Sequence, residues 1–157
     1  VDFPVRISGR RAGDPAAQPR QTYLDYNDES PLTVSSGKPE IIRELSAGKH
    51  GRKMMIGDGA SDLATRPVVD MFVGFGGVVA RAKVEAEADA FIRANSLAAI
   101  LPLAVGAKGG AKLIDTPYQD VFERGRRAIL AMDGVSVRDE DNRAALVNSL
   151  TQENDQP

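Results

Sequence analysis

Apolar residues along the chain come in short blocks separated by glycine, proline and charged clusters, and the period within each block predicts its element. Residues 1–22 mix three prolines with Gly, Arg and Ala without a sustained period, so they read as irregular, with one short strand at Phe3–Ile7. TYLDYND predicts a second short strand, followed by the turn-rich ESPLTVSSG. KPEIIRELSAG is the first clear helix. Pro39 suits its first position, Glu40 the positive end of its dipole, Ile41, Ile42 and Leu45 form an apolar stripe, and Gly48 stops it.

The run KMMI is short, apolar and bounded by turns, which predicts a buried strand with GDGASD as the loop at its carboxyl end. ASDLATR then predicts a short helix halted by Pro67, Met71–Val73 a second strand, and GFGG a turn. VVARAKVEAEADAFIRA is helical at first and ends in a strand at Ala90–Arg93; Ser96 caps a helix SLAAILPLA that Pro102 shortens. Strands alternating with helices over short connections predict an α/β fold built on a parallel sheet. GAKGGAK reads as a flexible linker and YQDVFERGRRAILAM as an amphipathic helix with Val121, Phe122, Ile129 and Leu130 as its apolar positions. One weaker helix and a polar end follow. The pattern therefore divides the chain into an irregular segment 1–22, an α/β core 23–105, and a linker with a helical extension 106–157.

Composition narrows the class of partner. With 42% hydrophobic and 27% charged residues over 157 positions, a real core is possible and general disorder is not expected. The net charge of −2 comes from scattered residues, so neither nucleic acid nor an anionic membrane is an expected partner. The absence of cysteine removes disulfides and thiolate metal sites and suits a reducing cytoplasm. No apolar run has the length of a membrane span, and the amino terminus lacks a signal pattern, which points to a soluble cytoplasmic protein. The first residue is Val1 rather than methionine, as expected of a fragment or a processed product.

The strongest candidate chemistry lies in MMIGDGASDLA. In open parallel sheets, ligands bind beyond the carboxyl ends of the strands, which is where Asp58 falls. Gly57 and Gly59 leave room for a tight turn and a close ligand. A single exposed carboxylate suits Mg²⁺, which also takes phosphate oxygens and keeps several waters. Asp62, four residues on, can face the same metal through water or brace a lysine; equally, GDG can be a plain turn and Asp62 a first-turn helix acid. Lys38 stands at a helix start, where the dipole disfavours a cation by about 0.3–1 kcal/mol unless an anion binds there. Ser35 and Ser36 offer further donors, and a solvated lysine is the competing reading. GFGG lacks the full dinucleotide spacing and reads as a structural turn; His50, the only histidine, has no assigned role; Tyr23, Tyr26 and Phe75 read as packing residues; and ERGRR reads as a solvated helix face.

Taken together, SSGKPEIIREL, KMMIGDGASDLATRP and VVDMFVGFGGVVARAKV closely resemble the C-terminal half of phosphoserine phosphatases of the haloacid dehalogenase (HAD) superfamily, over about Tyr23–Leu101. The resemblance implies a Rossmann-like parallel sheet of the HAD type, incomplete on its N-terminal side. It implies that Lys38 neutralises the phosphate and the nucleophile, that Asp58 binds Mg²⁺, and that Asp62 supports the lysine and the metal. Ser61 falls at a position that touches the phosphate side of the substrate, and Arg81 matches an arginine of the segment leading from GFGG into its helix. The small-molecule partner so implied is phosphoserine. The family's aspartyl nucleophile sits in a DxDxT motif, and no DxDxT occurs in this sequence: Asp25 lacks the aspartate and threonine at the required offsets. Ser8–Gly9 has the residue types of the family's Ser/Thr–Gly motif in the wrong surroundings. Two expectations follow. The sequence derives from a Mg²⁺-dependent phosphoserine phosphatase whose nucleophile-bearing part is missing, or it is a non-catalytic HAD-like module that binds phosphate, Mg²⁺ or a partner. An incomplete sheet would leave an edge open to self-association or complementation.

Overall fold

The computed structural model describes residues 37–151. The strands expected at Phe3–Ile7 and in TYLDYND, together with Ser8, Asp25, Ser35, Ser36 and the polar end beyond Thr151, lie outside the described residues.

Among the described residues four strands form one sheet in the order β1 (Met54–Gly57), β2 (Met71–Phe75), β3 (Ala90–Ile92), β4 (Val135–Val137). The first three are parallel, with Met54 opposite Met71 and Val73 opposite Ala90, and β4 runs antiparallel to β3. Helices α1 (Lys38–Ser46), α2 (Ala60–Leu63), α3 (Ala82–Glu87), α4 (Ile100–Gly110), α5 (Gln119–Leu130) and α6 (Glu140–Thr151) complete the layers. The α/β class expected from the alternation of patterns is the one observed, a mostly parallel sheet flanked by helices.

The two-residue period of the strands sends alternate side chains into two cores. Phe72 and Phe91 point to one face, where Leu63 of α2 and Val84 of α3 close over them. Val73, Ile92 and Val135 point to the other, against Phe122 and Ile129 of α5 and Leu150 of α6. Glycines are required where Phe91 lies flat on the sheet, because a Cβ at Gly74 or Gly76 would run into its ring. GFGG is only partly the turn expected of it: Gly74 and Phe75 are the last residues of β2, and the chain leaves the strand at Gly76.

Several local expectations need correction. KMMI is not a buried strand: all four residues of β1 are only half-buried, because among the described residues β1 is the edge of the sheet and pairs with β2 alone. The apolar stripe of α1 does not enter the core either; no residue of α1 is buried, and Leu45 is exposed. Pro67 does not stop α2. That helix ends at Leu63, and Pro67 stands in the first turn of a separate 3-10 helix, Arg66–Val68, where its missing N–H costs nothing. Pro102 likewise sits in the first turn of α4, which continues past it. GAKGGAK is not a free linker: Gly106, at φ 62° and ψ −174°, breaks the path of α4, which resumes for another turn to Gly110. Gly110 then packs directly against the ring of Phe122. The strand in GVSV escaped the pattern because three residues are too few to display a period, and ERGRR is not wholly solvated. Gly125 is buried against the backbone of Ala98, and Arg126 tucks between Glu123 and the carbonyl of Leu150.

Candidate functional site

Five of the candidate residues singled out in the sequence, Lys38, Asp58, Ser61, Asp62 and Arg81, lie together beyond the carboxyl end of β1. The chain leaves the strand at Gly57, turns through Asp58 and Gly59, and enters α2 with Ser61 and Asp62 in its first turn. Asp62 folds back over this turn. Its Oδ2 accepts the Gly59 N–H at 3.0 Å, which satisfies one of the amides that a helix start leaves open. Its Oδ1 accepts the Lys38 ammonium at 2.5 Å, across 24 residues of sequence. Gly57 has to be glycine for this, since a Cβ there would overlap the Cβ and Cγ of Asp62.

Burial decides the electrostatics. The Asp62 side chain is 12% exposed and that of Lys38 41%. Burial by itself pushes the Asp62 carboxyl up, but the hydrogen bonds from Lys38 and Gly59 and the charge of Lys38 outweigh it and hold the group below the usual carboxylate range. The cation at the helix start therefore has its anion within the fold, in the Asp62 carboxylate. Thr65, fully buried, fixes the same turn by donating its hydroxyl to the Asp62 carbonyl at 2.6 Å.

Asp58 is different. Its side chain is 53% exposed and faces out of the loop, where the Arg81 guanidinium donates to its Oδ2 and, at 2.7 Å, to its carbonyl oxygen. Arg81 stands immediately before α3, so this pair ties the loop after β2 to the loop after β1. Ser61 is half-buried in the first turn of α2, between Asp58 and Asp62 in sequence. Beside the site, Val78 and Val79 are exposed in the loop after β2.

The donor set matches a hard cation in kind, an outward carboxylate flanked by a carbonyl oxygen, and falls short in number. Among the described residues no three Asp, Glu, His or Cys side chains gather to hold a metal. Asp62 is already committed to Lys38 and Gly59, which leaves Asp58, paired with Arg81 at the surface, as the more accessible carboxylate of this corner. His50 is exposed in the turn before β1 and takes no part.

Sequence reasoning missed Asp89. At the end of the sheet opposite to Asp58, its Oδ1 accepts Arg66 at 2.7 and 3.1 Å and Arg138 at 3.3 Å, and its Oδ2 accepts the Phe72 amide at 2.9 Å. Burial raises this carboxyl, and the Arg66 and Phe72 contacts and the two arginine charges more than offset it, so the group is held below its ordinary value. The only local signal was an acid immediately before a strand, which is not a pattern that points to four donors.

No protein-family model matches the chain. Over 71 residues it is 41% identical to phosphoserine phosphatase of Mus musculus, 39% to that of Homo sapiens and 38% to that of Bos taurus. Those residues are 45% of this chain and 32% of each relative, so the chain spans about a third of the length of the curated relatives it matches. No helix among the described residues is long and apolar enough to cross a membrane. An α/β sheet carrying Lys38, Asp58 and Asp62 at one strand end thus goes together with this sequence similarity, and the chain contains a phosphoserine phosphatase-like region.

Proposed function

We propose that this chain supplies the phosphate- and Mg²⁺-handling half of a phosphomonoesterase site acting on O-phosphoserine. The observation that carries the reading is the Lys38–Asp62 pair at 2.5 Å, seated beyond the carboxyl end of β1 beside the outward Asp58. Phosphoryl transfer needs positioned positive charge more than covalent chemistry from the protein. Lys38 offers its remaining N–H donors to a phosphoryl oxygen, while Asp62 and Gly59 hold the ammonium in one place. Asp58 would hold Mg²⁺, which when bound neutralises phosphoryl charge. Arg81 has to leave Asp58 for that and is then free to meet the substrate's anionic end, and Ser61 donates its hydroxyl on the phosphate side.

The attacking carboxylate comes, in this reading, from a strand laid along the open side of β1. Two features support such a neighbour. β1 carries apolar residues on both faces, Met54 and Ile56 toward one core and Met55 toward the other, which is the composition of an interior parallel strand. Among the described residues one edge of β1 is unpaired, and the strand adjoins a groove lined by Ile42, Leu45, Met55 and Val69. An edge strand of this kind is a template for pairing.

The test is complementation. The chain is mixed with the N-terminal part of the Mus musculus relative, and phosphate release from O-phosphoserine is followed with and without Mg²⁺. Turnover is expected only in the mixture, only with Mg²⁺, and not with Asp58→Asn or Lys38→Ala. A stable complex without turnover would leave the binding-module reading standing in its place, and turnover by the chain alone would refute the borrowed nucleophile.

A further inference from the structure

A cavity of about 520 Å³ opens at the amino ends of β1 and β2, at the far end of the strands from Asp58. Its floor is apolar, from Met54, Met71, Leu103 and Leu146, and its rim is charged. Three carboxylates and four cations line it, and their states differ. Each acid accepts at least one N–H from within the protein, and among the described residues Asp89 alone of the three is paired with cations. Asp70 Oδ2 accepts the Lys53 amide at 2.6 Å, Asp139 Oδ1 the Asn142 amide at 2.8 Å, and Asp89 both Arg66 and Arg138 as well as Phe72. The cations are not matched in the same way. Arg66 and Arg138 share one carboxylate, and among the described residues neither Arg52 nor the Lys53 ammonium is in any ion pair.

We propose that this cavity is a second binding site, for a small organic anion with a carboxylate, phosphate or phosphonate head and an apolar body. Its size is within the range of small-molecule pockets, and an apolar floor with a few charged groups at the rim is their usual make-up. Four cations face three carboxylates at this rim, and Arg52 and Lys53 remain available to an anion. Arg66 is held by two hydrogen bonds to Asp89, so part of the recognition surface is pre-organised. The site shares no lining residue with the Lys38–Asp58–Asp62 corner and does not depend on the activity proposed there.

Phenylphosphonate is a suitable probe, because it pairs an anionic head with an apolar ring and has no ester bond to cleave. In amide-resolved NMR titrations of the full 157-residue chain, saturable shifts are expected at Lys53, Met71 and Val137–Asn142. Benzylamine, of similar body and opposite charge, should give none. The R52A/K53A variant should lose about tenfold in affinity, the effect of a modest charge contact, and should melt as the parent does, since both side chains are exposed. Shifts confined to Asp58–Asp62, the absence of saturation, equal binding of benzylamine, or unchanged affinity in R52A/K53A would each overturn the assignment.

Discussion

Replacing Lys38 by methionine removes the ammonium and keeps most of the aliphatic stem, so it isolates the charge of the pair with Asp62. At an effective dielectric constant of 20, two unit charges about 3 Å apart attract by about 5 kcal/mol before desolvation is counted. The Asp62 carboxylate is largely out of water while Lys38 is 41% exposed, so the net cost lies between two regimes. Losing one partner of a fully buried pair costs about 3–5 kcal/mol, and an exposed pair contributes about 0.2–1 kcal/mol. A destabilisation of about 2 kcal/mol at pH 7 is expected, most of it from leaving Asp62 with the Gly59 N–H as its remaining side-chain donor. The pH dependence separates this from a packing defect. In the parent chain Asp62 is held below its unfolded value, so its contribution is present above the unfolded carboxylate pKa and is lost as pH falls through the lower folded one. In K38M the Lys38 hydrogen bond and charge no longer oppose burial at Asp62 and only backbone donors do, so protonation costs the variant less than the parent, and the gap between the two proteins should narrow from about pH 5 downward. Urea unfolding followed by far-UV circular dichroism measures it, the chain having no tryptophan. A deficit under about 0.5 kcal/mol at pH 7, the range of an ordinary surface substitution, or one that stays constant with pH, would refute the account.

Three further outcomes follow from single contacts. D89N should cost about 2 kcal/mol, because it removes the charge that holds Arg66 and Arg138; thermal melts should show the parent losing this contribution as pH falls through the lowered Asp89 value, so that the difference between parent and variant shrinks in that window. G57A should cost about 1–3 kcal/mol, since the new methyl displaces Asp62 from Lys38; measured in K38M, where that pair is already gone, the same substitution should cost less. R81A should change stability by less than about 1 kcal/mol, both partners being half-exposed, while Mn²⁺-induced broadening at Asp58 should increase because the guanidinium no longer occupies its oxygens.

The succession of local patterns along the sequence was enough for the α/β class, for α1 with Pro39 at its start, and for a strand leading into GDGASD, because periodicity and turn chemistry are properties of neighbouring residues. It also marked Lys38, Asp58, Asp62, Ser61 and Arg81 as candidates, through their types and through resemblance. What joined them was tertiary. Asp62 could have served a metal or a lysine, and the choice of Lys38 depends on how α1 lies across 24 residues of chain. Arg81 reaches Asp58 across 23 residues and Arg138 reaches Asp89 across 49. KMMI reads as a buried strand because hydrophobicity is a local property, whereas its edge position among the described residues depends on which other strand arrives. The same holds for GVSV, whose three residues become a strand only because β3 offers them an antiparallel edge. A residue's type and spacing limit the contacts it is able to make; packing of distant segments, which buries one carboxylate against an ammonium and leaves another in solvent, selects which of those contacts exist.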